Sequence, residues 1–121
     1  MTDLKQFIRN WINTFNRADA AGLAEFYHDD AINYQVPNEP VVGKGAIREM
    51  FVQEFAAADM VCIEENIFVD GDWAILEWKG PDGLMRGCGF FHIIDGRIKY
   101  QRGYWDKLTF LRLNNLPLPT E

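Results

Sequence analysis

Proton transfer at a small-molecule site needs a carboxylate or imidazole held away from water, where desolvation brings its pKa toward neutrality. Few groups in this chain sit in a pattern that suggests one. Asp29 and Asp30 are adjacent. Neighbours on an extended segment point to opposite sides, so this pair reads as the end of a helix and the start of a strand. His28 and His92 are far apart and lack metal-ligand spacing. His28 is expected in solvent and His92 at an interface, and no metal site follows. Glu77 and Arg86 read as a cross-strand ion pair. The pairs Gly43/Gly45 and Gly87/Gly89 carry turn and packing meaning only, with no phosphate loop. The stretch GRIKYQRGYWD, Gly96 to Asp106, is more informative. As a strand it places Gln101, Gly103 and Trp105 on one face and Tyr100, Arg102, Tyr104 and Asp106 on the other. If the first face is inside, Gln101 can donate to a ligand carbonyl and no acid accompanies it. If the faces are inverted, Glu77, Arg86, His92 and Arg102 become a polar cavity suited to catalysis.

The elements that position these residues divide cleanly. The first half reads as helices. Leu4, Phe7, Ile8, Trp11, Ile12 and Phe15 recur at helical spacing, with Thr2 as a cap and Asp3 at the positive end. A short helix follows Asp19 and carries Leu23, Phe26 and Tyr27. HDDAINYQVP reads as a loop entering a short strand that Pro37 and Pro40 end. Gly43 opens a third helix with the stripe Ile47, Met50, Phe51, Phe55 and Ala58. The second half reads as strands. Asp70-Gly71, Asp82-Gly83 and Asp95-Gly96 separate apolar runs. Asp-Gly between such runs is a strong hairpin signal, so an antiparallel meander over 61–70, 72–79, 84–94 and 97–106 is expected. The tail after Asp106 forms a helical turn before Pro117. Residues 1–121 read as one α+β domain, with three N-terminal helices on one face of a curved, mainly antiparallel sheet.

Register decides which residues meet. A four-residue loop at Gly80–Gly83 pairs Lys79 with Leu84, Trp78 with Met85 and Glu77 with Arg86. The Asp95-Gly96 turn has two forms. A two-residue turn puts Tyr100, Arg102 and Tyr104 with Gly87 and Gly89; a three-residue turn with a bulge puts Gln101, Gly103 and Trp105 there. The bulged form is preferred, because it gathers the glycines beside Trp78, Met85 and Trp105. Such a face either lets helices pack closely or bends the sheet around a cavity. The opposite face carries Phe90, His92, Tyr100, Arg102 and Tyr104, types that interfaces enrich, and a homodimer through it is expected.

Bulk properties narrow the partners. The net charge is -6, which argues against nucleic acid and anionic membranes. No targeting segment or membrane span is expected. Two isolated cysteines, Cys62 and Cys88, suit a reducing compartment, so a cytoplasmic location is expected.

Three stretches resemble the nuclear transport factor 2-like superfamily and its SnoaL-like members: FYHDDAINYQVP, GKGAIREMF and IIDGRIKYQRGYWD. The resemblance covers nearly the whole chain. It implies a cone-shaped roll with a pocket between helices and sheet. GKGAIREMF is similar to the start of the third helix of ketosteroid isomerases; YQVP and QRGYWD resemble stretches of limonene epoxide hydrolases. The resemblance implies Tyr34 as a retained pocket tyrosine. It places the hydrolases' Arg and Asp at Trp78 and Gly80, and their last-strand Asp at Gly103. The isomerases' base falls at Val36 or Gln35, and the SnoaL-type cyclases' acid falls at Gly103. None of these is an acid here. The implied site is an apolar cavity walled by Phe15, Phe55, Trp78, Met85 and Trp105, with Tyr34 and Gln101 as polar groups. It implies an apolar small-molecule ligand and no metal or organic cofactor. Catalysis is left unassigned. The alternative is a cofactor-independent isomerase, cyclase or hydrolase of a steroid, polyketide or terpenoid epoxide.

Overall fold

The computed structural model describes residues 3–119. Helix α1 (Leu4–Asn16) is capped by Asp3, whose carboxylate accepts from the Gln6 backbone N–H. The cap expected at Thr2 lies outside the described residues. Helix α2 (Ala20–Ala24) is capped by Asp19, which accepts from Gly22 N–H at 2.9 Å. Strands β1 (Tyr27–Gln35) and β2 (Val41–Val42) lead to helix α3 (Lys44–Ala57). Gly43 precedes α3 at φ 96°, a backbone state that favours glycine. The meander follows as β3 (Ile63–Asp70), β4 (Trp73–Lys79), β5 (Arg86–Ile94) and β6 (Arg97–Trp105), then helix α4 (Lys107–Leu113).

One six-stranded sheet runs β2-β1-β6-β5-β4-β3. Only the β1–β6 pairing is parallel; the other four are antiparallel. The α+β architecture and the meander are therefore as expected. The first strand is longer than the short one anticipated. It begins at Tyr27, which leaves the second helix, and it includes Asp29 and Asp30. Pairing with β6 outweighs the poor strand propensity of two aspartates. Asp30 also gains a partner there, Lys99 Nζ at 2.7 Å, which holds its carboxyl below the usual range. His28 is partly buried rather than free in solvent. Its Nε2 lies 2.6 Å from the Ile94 carbonyl, and a carbonyl only accepts, so that nitrogen carries the proton.

The β5–β6 turn has two residues, Asp95-Gly96, not the expected three, since Ile94 pairs with Arg97; a bulge within β6 still puts Gln101, Gly103 and Trp105 on the inner face. Ile93 pairs with Ile98 and His92 with Tyr100, which leaves Lys99 extra. The β4–β5 loop is six residues long instead of four. Lys79 pairs with Arg86 and Trp78 with Gly87, while Gly80 N–H closes the loop on the Met85 carbonyl at 2.8 Å. The slip of two residues keeps every side chain on its expected face, because the strand period is two. It does separate Glu77 from Arg86. Glu77 instead accepts from Asn66 Nδ2 at 2.7 Å, and Arg86 lies 3.6 Å from Glu65.

Helices α1 and α3 cover one face of the sheet. Ile8, Leu23, Tyr27, Ile47, Leu76, Phe91 and Ile98 are all fully buried there. Each such apolar side chain contributes about 1.5–3 kcal/mol on burial. Trp11 joins helix to sheet, stacked on Phe15 and edge-on to Phe91, both at 5.3 Å. Across the sheet, one inward row reads Ile67, Leu76, Gly89, Gly103, Gln35. The neighbouring outward row reads Phe68, Ile75, Phe90, Arg102, Tyr34. Among the described residues, no helix is long and apolar enough to cross a membrane.

Candidate functional site

Between the helices and the inward face lies an open-mouthed cavity of about 310 Å³. That is the lower end of the roughly 300–1,000 Å³ typical of small-molecule sites. Trp78, Gln101 and Trp105 line it from the sheet, Met85 from the β4–β5 loop and Phe15 from α1. The structure thus brings together five of the residues expected there. Phe55 does not reach the space. It stands behind the wall, 5.2 Å from Phe15 and 5.8 Å from Phe51 between ring centroids.

Tyr34 is a correction. Asn33 and Gln35 are the inward residues at this end of β1, so Tyr34 points to the opposite face, paired with Arg102. The tyrosine that reaches the interior is Tyr27, fully buried at the start of the strand.

A carboxyl that no sequence motif marks also lines the cavity: Glu54, on α3. It lies three and four residues after Phe51 and Met50, which line the same space, and seven after buried Ile47. This spacing, which continues the apolar stripe of α3, was the available signal. The Glu54 carboxyl has no hydrogen-bond partner among the described residues. Among the described residues, no Lys, Arg or His lines the cavity. Burial without a counter-charge pushes its pKa up to about 7. Asp59 and Asp82 stand exposed at the mouth. The positions where the resembled enzymes carry their charged groups, Trp78, Gly80 and Gly103, do face the cavity, without charge. Asp106, the remaining acid of that stretch, caps α4 instead. It accepts from Thr109 Oγ1 at 2.8 Å and from Leu108 N–H at 3.0 Å, which holds its carboxyl below the usual range.

The inward glycines are occupied by their neighbours. A Cβ on Gly103 would collide with the Gln35 carboxamide, and one on Gly87 with the Trp78 indole. Glycine here makes room for side chains that then form the cavity floor. Gln35 belongs to a buried polar chain. Trp105 Nε1 donates to Gln35 Oε1 at 2.8 Å, and Gln35 Nε2 donates to Asn33 Oδ1 at 2.7 Å. Asn33 Nδ2 lies 3.4 Å from the Tyr27 hydroxyl and 3.3 Å from Gln101 Oε1. Trp11 Nε1 donates to the Tyr27 hydroxyl at 3.2 Å, and that hydroxyl donates to Gln101 Oε1. Burial pushes the Tyr27 phenol well above its ordinary pKa, so it stays protonated. Burial likewise pushes the Cys62 thiol up to about 12, which leaves it a poor nucleophile. Among the described residues, no three His, Cys, Asp or Glu side chains gather to hold a metal ion.

No curated protein matches the sequence. Solved structures do match the fold. A polyketide cyclase candidate from Xanthomonas campestris pv. campestris superposes with TM-score 0.81 at 15% identity, over 91% of this chain and 95% of that one. A protein of ketosteroid isomerase-like fold from Catenulispora acidiphila, bound to trimethylamine, gives 0.79 at 13% identity, over 92% and 93%. SalBIII, an epoxide hydrolase/cyclase-like enzyme of pyran ring formation in the polyether salinomycin, gives 0.76 at 17% identity, over 87% and 92%. At these identities the likeness is one of fold, the nuclear transport factor 2-like cone. The family model for the SnoaL-like domain matches residues 8–101, and the chain belongs to that family.

Proposed function

We propose that the cavity binds an apolar small molecule and that Glu54 moves a proton on it, as a cofactor-independent isomerase, cyclase or hydrolase would require. The observation that carries this reading is a carboxyl with no counter-ion among aromatic and thioether walls. Near neutral pH such a group is present in both forms. It can take a proton from a carbon acid, whose bonding pair then moves onto an adjacent carbonyl, and return the proton afterwards. The absence of any cation among the lining residues disfavours anionic ligands. The fold relatives described as cyclases and epoxide hydrolase/cyclase-like enzymes lend support at the level of fold. Two free thiols, Cys62 and Cys88, support a cytoplasmic setting.

The test is a carbon-13 titration of the glutamate carboxyls. One resonance is expected to titrate near 7 and to vanish in Glu54→Gln. A full set of glutamates titrating near the ordinary value of about 4.3 would leave a binding protein without this chemistry.

The outward face of the sheet supports a second copy of the chain as partner. The Arg102 guanidinium lies 4.9 Å from the Phe90 ring centroid and 5.2 Å from that of Trp73, and His92 stacks on Trp73 at 4.6 Å. Phe68 and Tyr104 on this face are 56% and 42% exposed. Sedimentation equilibrium is expected to report a dimer that Arg102→Glu dissociates. A monomeric wild-type protein at micromolar concentration rules the arrangement out.

A further inference from the structure

The two indoles at the ends of the buried polar chain determine the direction of every hydrogen bond between them. An indole N–H only donates. Trp105 therefore requires an oxygen of Gln35 to face it, which turns the Gln35 NH₂ toward Asn33 and requires the Asn33 oxygen there. The Asn33 NH₂ is then directed at Tyr27 and Gln101. From the other end, Trp11 donates to the Tyr27 oxygen. With Trp11 and Asn33 both directed at that oxygen, the single phenolic proton goes to Gln101 Oε1. All the arrows converge on one amide oxygen. The Gln101 orientation is thereby set, and its NH₂ is what remains.

That Nε2 has no protein partner among the described residues, although Gln101 is only 4% exposed. Among the described residues, no fully buried side-chain nitrogen or oxygen is left unpartnered. Nε2 must therefore reach accessible space, and the space that Gln101 lines is the cavity. A cavity with apolar walls thus presents, deep in the sheet, an amide donor that cannot turn to offer its oxygen without breaking the chain behind it. Rotation would set the Gln101 NH₂ against the phenolic proton and the Asn33 NH₂, and would leave those donors unpaired in a buried site.

We infer that Gln101 is the specificity-determining residue of the cavity, selecting ligands that carry a neutral hydrogen-bond acceptor such as a ketone or ester carbonyl, with Tyr27 as the positioning residue that holds its amide. This rests on the cavity being a ligand site, as proposed above, and adds the chemical class of the ligand. A hydrocarbon of the same shape leaves the NH₂ unpaired once water is displaced. An alcohol can accept from it, but its own proton must then find an acceptor elsewhere in the cavity, such as the Glu54 carboxyl.

Tetralin, 2-tetralol and 2-tetralone share one bicyclic skeleton and form a matched probe set. Binding is followed by quenching of tryptophan fluorescence, since Trp11, Trp78 and Trp105 line the cavity. The ketone is expected to bind about five- to tenfold more tightly than tetralin, the effect of one added net hydrogen bond. Its binding should also shift the Gln101 side-chain amide nitrogen-15 resonance, whereas tetralin binding should not. In Gln101→Leu the ketone-to-tetralin ratio should fall to about one. In Tyr27→Phe the ratio should fall while tetralin still binds, which separates positioning of the amide from loss of the cavity. Equal wild-type affinities for all three probes would overturn the inference and leave the cavity reading standing. Failure of all three to bind would remove both.

Discussion

Glu54→Gln lowers the rate at which the wild-type protein exchanges the C1 protons of 2-tetralone in D₂O by about 10²–10⁴-fold, the range that positioned acid–base groups contribute. The amide keeps the size of the carboxyl but cannot take a proton. In the wild-type protein, the C1–H pair moves onto the carbonyl as Glu54 accepts the proton. Exchange with D₂O then loads the carboxyl with deuterium, which returns to C1. The rate should rise with pH through about 7, as the carboxylate becomes populated. Proton nuclear magnetic resonance of the C1 signal gives both rates directly. Asp59 and Asp82 at the mouth remain in the variant. If exchange continues unchanged in Glu54→Gln, the acid–base role is wrong, and one of those aspartates or buffer carries the proton. The variant should still quench its tryptophans with 2-tetralone, which separates lost chemistry from lost binding.

The same substitution should make the protein more stable at alkaline pH. The Glu54 carboxyl ionises near 4.5 in the unfolded chain and near 7 in the folded one. Between these values the folded state holds a proton that the unfolded state has released. Stability therefore falls as pH rises through that window, and no penalty exists below it. A displacement of this size at a partly exposed site costs about 2–3 kcal/mol once solvent screening is allowed for. Urea denaturation at pH 4 should give Glu54→Gln and wild type similar midpoints. At pH 8 the variant should be the more stable by about that amount. Parallel stability curves from pH 4 to pH 8 would mean that Glu54 is solvated as well as any surface glutamate. Agreement would mean that wild-type stability is reduced near neutrality by the group assigned to proton transfer.

Much of this architecture could be read from local signals. Three Asp-Gly pairs mark the meander turns, and the pleat then assigns Gln101, Gly103 and Trp105 to the inside once the bulge at Lys99 is recognised. The β4–β5 register differs from the expected one by two residues, and a slip of two preserves the face. β1 was harder to see, because its parallel partner β6 lies far along the chain and its first half holds His28, Asp29 and Asp30. No local pattern announces a strand whose pairing is that distant. The resemblance alone puts Tyr34 in the pocket, whereas the parity of Asn33 and Gln35 decides its face. Glu54 is hard to read from sequence, because a glutamate on a surface helix normally points to water. Its spacing from Ile47, Met50 and Phe51 told otherwise, but only the cavity gives that spacing a meaning.

The missing side chain at Gly103 also constrains how this protein can change. Enzymes that it resembles hold an acid at the corresponding position, yet here any Cβ would strike the Gln35 carboxamide. Gaining that acid would push the Gln35 carboxamide aside, which would release the Trp105 indole and leave the Asn33 oxygen unpaired. The cost of the new side chain is thus the polar chain that its neighbour holds together. An acid arriving from α3, at Glu54, meets no such obstacle, because that helix faces open space. Where a catalytic group can arise in this fold is in part a matter of which neighbours have already claimed the room.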